Sequence, residues 1–327
     1  MILAGDIGGT KTNLAYYKSD GGVLVPVLFK SYLSQQFSSL HEVLYAMRRE
    51  HPADISTAAF GLAGPVSEGR GHLTNLGWDI TADEIRDDLK VPAVGLLNDL
   101  EATAYGTLHL LESEKVVLQG GTPREHGAIV VIAAGTGLGE GLLVWNGKRY
   151  QTVPSEGGHA DFAARNDLEM ELLKFLLTRY EHVSWERILS GPGLYTLYEF
   201  LRARAGVPEP PWLKEQIGSG DPAAAVSRAG MERKDPVCSA VLDLFVSLYG
   251  AEAGNLALKF LGTGGVFVGG GIAPKILDRI QMGSFIASFN AKGRLSDLVR
   301  KIPVAVVTND RIALTGAAHF AQLLRLE

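Results

Sequence analysis

The chain has 327 residues, more than one core usually spans, so two domains or lobes are expected. With 46% hydrophobic and 20% charged residues and a formal net charge of −5, it has a globular balance and not that of a nucleic-acid binder working through a basic surface. Its one cysteine, Cys238, excludes an internal disulfide framework and a cysteine-based zinc site, and fits a reducing cytosol.

The first residues, Ile2-Leu3, read as a strand and not as a secretory leader, and apolar runs such as 128–134 fall far short of a membrane span. Residues 2–7, 12–17 and 23–33 read as three strands of a meander, with a turn at Ser19-Asp20-Gly21-Gly22. The segment LAGDIGGTKTNLAYY (3–17) is one residue away from a P-loop: Gly5, four residues, then Thr10-Lys11-Thr12. A P-loop needs a glycine at position 10 and a helix directly after the lysine. Here Tyr16-Tyr17 and a turn follow, so the segment reads as strand, glycine-rich turn and strand, with Asp6 near the end of the first strand.

Residues 38–50 carry Leu40, Val43, Leu44 and Met47 at helical spacing. Residues 55–62 read as a buried strand, and 81–89 as a short helix with Thr81 and Glu84 forming a capping box. A second buried strand, 93–97, ends at Asn98-Asp99, and a helix is expected over 99–111. From Ala128 the pattern strand, glycine turn, strand returns as AIVVIAAGTGLGEGLLVW, with a hairpin turn at Asn146-Gly147. It echoes DIGGTKTNLAYY; duplication of one phosphate-holding hairpin and convergent hairpin chemistry both remain open. Helices are expected over 166–179, 191–204 and 234–261, with a Pro-rich connecting loop at 205–212. A strand, a third glycine cluster and a helix with Pro274 near its start follow, then a strand at 302–307 and a closing helix over 311–324.

Five segments line up in order: DIGGTKT (6–12), LLNDLEA (96–102), AAGTGLGEG (133–141), SEGGHADFA (155–163) and GGVFVGGGI (264–272). Taken singly, Asp99 reads as a helix N-cap, His159 as a surface histidine, and Glu156 as an exposed turn carboxylate. Glu186 reads as the third residue of a helix capped by Ser184, and Lys11 is undecided between a phosphate and solvent. Taken together, two glycine turns for phosphates, a strand-end carboxylate and a Glu–His pair around two glycines form an ordered set that suits phosphoryl transfer. That reaction needs positioning, charge neutralisation and one acceptor for the hydroxyl proton.

The chain resembles the bacterial glucokinase family of the actin-like ATPase and sugar-kinase superfamily. The resemblance runs through DIGGTKT, GLAGPV, LTNLGWDI, LLNDLEATAYG, AAGTGLGEG, SEGGHADFA, ERILSGPGL, GNLAL and GGVFVGGGIAPKIL. SEGGHADFA followed by HVSWERILSGPGL is its most specific part. The related repressor–kinases carry a Cys-rich zinc cluster, which this chain cannot build, and a DNA-binding helix-turn-helix, which is not expected where a strand is read from Ile2.

The resemblance implies a two-lobed α/β fold of the actin-like ATPase (ribonuclease H-like) type with an interlobe cleft. The small domain would hold 1–110 plus about 301–327, and the large domain 111–300. It implies an ATP-dependent phosphorylation of D-glucose to glucose 6-phosphate, with Asn98, Asp99, Glu156, His159 and Glu186 on the sugar and Asp99 as general base. Gly5, Asp6, Ile7, Gly8, Gly9 and Thr10 would serve the nucleotide from one side, and Gly135, Thr136, Gly137, Gly270 and Gly271 from the other. Asp6 would hold Mg²⁺ through water. A cytoplasmic homodimer without nucleic-acid or membrane partners is implied as well. The competing readings are a kinase for another hexose, a sugar-sensing regulator without turnover, and an actin-like or chaperone ATPase.

Overall fold

The computed structural model describes residues 1–21 and 23–325; Gly22, part of the expected first turn, and the last two residues lie outside them. The chain forms two compact units, Met1–Glu114 with Asn309–Glu327, and Lys115–Thr308.

Unit 1 is built on a five-stranded sheet. β1 (Ile2–Ile7), β2 (Lys11–Asp20) and β3 (Val23–Leu33) form an antiparallel meander. Helix α1 (Leu40–Glu50) follows, its first turn capped by the Ser39 hydroxyl, which accepts from the Glu42 N–H. β4 (Thr57–Leu62) lies parallel to β1. A small sheet of β5 (Val66–Ser67), β6 (Arg70–Leu73) and β7 (Trp78–Thr81) then leads into α2 (Ala82–Leu89), whose N-cap is Thr81 as expected. β8 (Val94–Asn98) completes the main sheet beside β4, in the order β3-β2-β1-β4-β8, and runs directly into α3 (Asp99–Thr107).

Alternation along β1 sets the packing of both faces. Leu3 and Ile7 join Leu14, Phe60, Val43 and Trp78 on one side. Ile2 and Ala4 join Ala15 and Ala59 on the other, under Leu314, Ala317, Ala318 and Ala321 of the last helix, Ile312–Leu324. Alanines on that face let the helix lie close. The same helix crosses α3 backbone to backbone, because Gly106 and Gly316 meet there. A Cβ on Gly316 would overlap the Ala102 carbonyl, and one on Gly106 the Ile312 carbonyl.

Unit 2 repeats the layout. β9 (Lys115–Gln119) lies at one edge of a six-stranded sheet. β10 (Ile129–Ala134), β11 (Leu138–Trp145) and β12 (Tyr150–Val153) form its antiparallel meander. The longer helices are α4 (Asp167–Leu177), α5 (Gly191–Ala205), α6 (Pro211–Ser219), α7 (Pro222–Met231) and α8 (Pro236–Lys259). β13 (Gly265–Gly269) and β14 (Val304–Val307) add parallel strands, giving the order β12-β11-β10-β13-β14-β9. Each of the two large sheets thus has a three-stranded meander whose inner strand is followed by two parallel neighbours.

α8 is long and apolar enough to cross a membrane by length and composition. It is instead the central core helix of unit 2, with 78% of its most apolar window buried. Tyr249 on this helix ties β10 to β13: its hydroxyl accepts from the Ala134 N–H at 3.0 Å and lies 3.2 and 3.3 Å from the carbonyls of Ile132 and Gly269.

Several elements differ from the sequence expectation. The helix expected over 99–111 ends at Thr107, and β9 begins eight residues later. The expected 205–212 loop leads into two further helices, α6 and α7. The helix at Pro274 begins as a 3-10 turn, Ala273–Ile276.

Candidate functional site

Unit 1 contributes one sheet edge. Lys11 opens β2 and not a helix, which disposes of the P-loop. The turn Gly8-Gly9-Thr10 closes through a bond from the Gly8 N–H to the Lys11 carbonyl at 2.9 Å. Ser34 braces it: its hydroxyl donates to the Gly8 carbonyl at 2.7 Å and its N–H to the Thr10 carbonyl at 3.0 Å. Thr12, buried beside it, has its hydroxyl 3.0 Å from that of Ser34. Asp6 accepts from the Asn13 amide at 3.3 Å, and its carboxyl is raised above the usual range, chiefly by burial, with the Asn13 bond opposing. Gly5 packs against Phe60 and Ile7 lies fully in the core, so these two support the turn from below.

Asn98 and Asp99 leave the same edge. Across the parallel strands Ile7 is in register with Leu62, and Leu62 with Asn98. The turn after Ile7 and the carboxylate after Asn98 therefore emerge two strands apart, roughly 10 Å at ordinary strand spacing. The carboxyl ends of parallel strands are the usual ligand edge of α/β sheets.

The N-cap of α3 is Asn98 and not Asp99. The Asn98 side chain accepts from the Leu100 N–H at 2.8 Å, and Glu101 accepts from the Asn98 N–H at 3.0 Å, a complete capping box. The Asn98 amide also donates to the Gly64 carbonyl at 3.1 Å. Asp99 is the first helical residue, where the helix dipole favours an acidic side chain, and its Oδ1 accepts from the Leu100 N–H at 2.8 Å.

Unit 2 contributes a second edge. The turn Gly135-Thr136-Gly137 joins β10 to β11, with the Gly135 N–H on the Gly137 carbonyl and the Gly191 N–H on the Gly135 carbonyl, both 2.8 Å. Residues 160–162 and 183–185 lie side by side: the Phe162 N–H bonds the Val183 carbonyl at 2.9 Å, and the Trp185 N–H the Ala160 carbonyl at 3.0 Å. Their rings, Phe162 and Trp185, meet edge-on at 5.1 Å.

This pairing draws His159 to Glu186. The His159 Nε2 lies 3.7 Å from one Glu186 oxygen, while the other accepts from the Leu138 N–H at 3.0 Å. A Cβ at 137 would stand 2.5 Å from the same oxygen, so a larger residue there would push the Glu186 carboxylate aside. Glu186 sits in a 3-10 turn, Trp185–Arg187, after Ser184, whose side chain makes no cap bond. Glu156 is exposed at the start of the neighbouring 3-10 turn, Gly157–His159, where its carbonyl accepts from the His159 N–H at 3.0 Å.

Gly270, at φ +80°, presses on the Ala134 carbonyl, just before the Gly135 turn. Beside it opens a pocket of about 1180 Å³, lined among others by Thr136, Tyr195, Asp221, Arg228, Gly271 and Lys275. That exceeds the ~300–1,000 Å³ of most small-molecule sites. It joins the second glycine turn to the third glycine cluster. The sequence reading named Gly135, Thr136 and Gly271 here and missed Tyr195, Arg228 and Lys275, which lie on helical segments without a motif.

Two edges, each with a glycine turn between the first two strands of a meander and followed by two parallel strands, define the actin-like ATPase fold used by sugar kinases. A family model described as Glucokinase matches residues 3–324. The chain is 41% identical over 340 aligned positions to the glucokinase of Nostoc sp., covering 99% of both, and 34% identical to that of Erwinia tasmaniensis, covering 98% and 97%. A crystal structure of glucokinase from an Antarctic psychrotroph matches with a TM-score of 0.88 at 33% identity, over 98% of each chain. A ROK family glucokinase from Streptomyces griseus, solved with glucose and AMPPNP, shares the fold at a TM-score of 0.65 and 21% identity, over 98% and 99% of the two chains. The chain belongs to the glucokinase family.

Proposed function

We propose that the protein transfers the γ-phosphoryl group of ATP to the 6-hydroxyl of D-glucose, giving glucose 6-phosphate and ADP. Asp99 accepts the hydroxyl proton as the sugar oxygen bonds to phosphorus and the bond to ADP breaks. Asn98, Glu156, His159 and Glu186 read the other hydroxyls, since acceptors and donors of these types, once covered by the bound sugar, penalise a sugar with a missing or inverted hydroxyl. Gly8, Gly9 and Thr10 of unit 1 and Gly135, Thr136 and Gly137 of unit 2 hold the phosphates. Gly270 and Gly271 line the adenosine side.

Mg²⁺ bound with ATP supplies charge neutralisation. Asp6 fits the task of holding its water shell: burial disfavours its negative charge, so a nearby dication would stabilise it. The same reading makes the protein a cytoplasmic homodimer.

The observation that carries the proposal is the Glu186 carboxylate, which touches both the phosphate-type turn at Leu138 and the sugar-type His159. Family membership makes glucose the first substrate. The test is a coupled assay across hexoses and phosphoryl donors with Mg²⁺ present. ADP release that depends on glucose is expected. Turnover confined to another hexose, or hydrolysis of ATP unaffected by any sugar, would overturn it.

A further inference from the structure

Glu140 stands in the middle of β11 with 2% of its surface exposed, and neither carboxyl oxygen has a hydrogen-bond partner among the described residues. Its Oε2 lies directly under Gly157, where a Cβ would overlap it. Gly158 presses in the same way on the Leu138 carbonyl of the same strand. The 3-10 turn that carries His159 therefore rests on two points of β11: the Leu138 backbone and the Glu140 carboxyl.

We propose that Glu140 is a positioning residue for sugar recognition, its carboxyl forming the seat of the Gly157–His159 turn. The proposal rests on the assignment of Glu156 and His159 to the sugar. An uncharged carboxyl can lie against the turn backbone without solvent. An ionised one cannot stay there unpaired, and it gains water only by lifting the turn.

The surroundings favour the uncharged form. The acid is pushed up to about 8, first by burial and then by the charge of Glu252, with Lys259 opposing. Glu252, on α8, is fully buried; it is bound by the Asn255 amide at 2.7 Å and by the Lys259 ammonium at 3.3 Å, so that lysine is already engaged. Tyr249 faces Glu140 from the same helix and is itself held in the uncharged state by burial. Lys292 stands beyond Glu252, donating to the Asn255 side chain at 2.6 Å and to the Ala251 carbonyl at 2.8 Å. It too titrates at about 8, lowered first by burial and then by the charge of Arg165. An alkaline effect alone would therefore not distinguish Glu140 from Lys292; substitution of Glu140 does.

The test is steady-state kinetics of the full-length chain between about pH 6.5 and 9.5, comparing wild type with Glu140→Gln, which keeps the shape and cannot ionise. If only the uncharged form presents the turn, the wild-type glucose KM rises about tenfold by pH 9, the inverse of the competent fraction, with kcat and the ATP KM changing far less. Glu140→Gln keeps the neutral-pH glucose KM and shows no such rise. Equal alkaline rises in both proteins, or no rise in wild type, would overturn the proposal. If wild type phosphorylates no hexose, the sugar-site assignment has failed. Hydrogen exchange at the Gly157–His159 amides, corrected for base catalysis, then decides the positioning claim. Excess opening at about pH 9 in wild type and not in Glu140→Gln supports it, and equal opening overturns it. Should Glu140→Gln not fold, the same exchange on wild type decides: opening that follows a single ionisation near pH 8 supports the seat, and pH-independent opening removes it.

Discussion

One oxygen of Glu186 lies 3.7 Å from His159 Nε2 and the other accepts the Leu138 N–H at 3.0 Å, so a single carboxylate spans a phosphate-type turn and a sugar-type segment. Removing its charge weakens both contacts. Glu186→Gln and His159→Ala are expected to raise the glucose Kd by about 10-fold or more, in line with the ~1–3 kcal/mol cost of a lost charged hydrogen bond, and to change ATP binding less. Titration calorimetry of each variant with each ligand checks this. Unchanged glucose affinity in both would move the sugar site elsewhere.

Much of the fold and of the candidate site was legible because its signals are local. Glycine turns after apolar runs, Thr81 three residues before Glu84, and Asn98-Asp99 at a strand end all declare themselves in a few residues. What escaped depends on partners distant in the chain. β9 is a five-residue strand whose identity comes from pairing with β14, far along the chain. α7, PAAAVSRAGM, buries a face of small residues, Ala225, Val226, Ala229 and Gly230, which carries a single large apolar side chain as a signal. Asn98 and Asp99 are equally good caps, and only the backbone decides between them. The Ser34 brace, the Tyr249 tie and the Glu140 seat are buried polar contacts made across the fold, which no spacing encodes.

The crossing of α3 with the last helix sets the base of Asp99's helix. Gly316→Ala puts a methyl group into the Ala102 carbonyl, and such overpacking costs typically about 1–3 kcal/mol. A lowered thermal midpoint is expected. Gly218→Ala on α6, where a Cβ meets nothing within 4 Å, serves as the control and should be neutral or slightly stabilising. Equal midpoints for the two variants would remove the crossing as a constraint.

His109 and His319 stack at the same helix pair, ring centroids 3.3 Å apart and 4° from parallel. Burial holds both imidazoles below their usual range, and His319 falls to about 4 through burial and then the His109 charge. The unfolded chain therefore binds more protons between about pH 4 and 6.5, so this stability is present above 6.5 and lost as pH falls toward 4. Thermal midpoints from about pH 7.5 down to 5 should fall more steeply for wild type than for His319→Gln. Parallel curves would contradict the assignment.

The central claim is that Asp99 takes the proton of the sugar hydroxyl, and Asp99→Asn tests it most directly. Asn98 is the cap of α3, and the Leu100 N–H keeps its bond to the Asn98 side chain, so the variant should fold with a thermal midpoint close to wild type, lowered only by the lost charge at the helix start. Asparagine keeps the size and a hydrogen bond to the sugar, but it cannot accept the proton. Single-variant kinetics at saturating glucose and ATP should show kcat reduced by at least ~10²-fold, with glucose affinity changed far less. A folded Asp99→Asn protein that turns over at close to the wild-type rate would contradict the account.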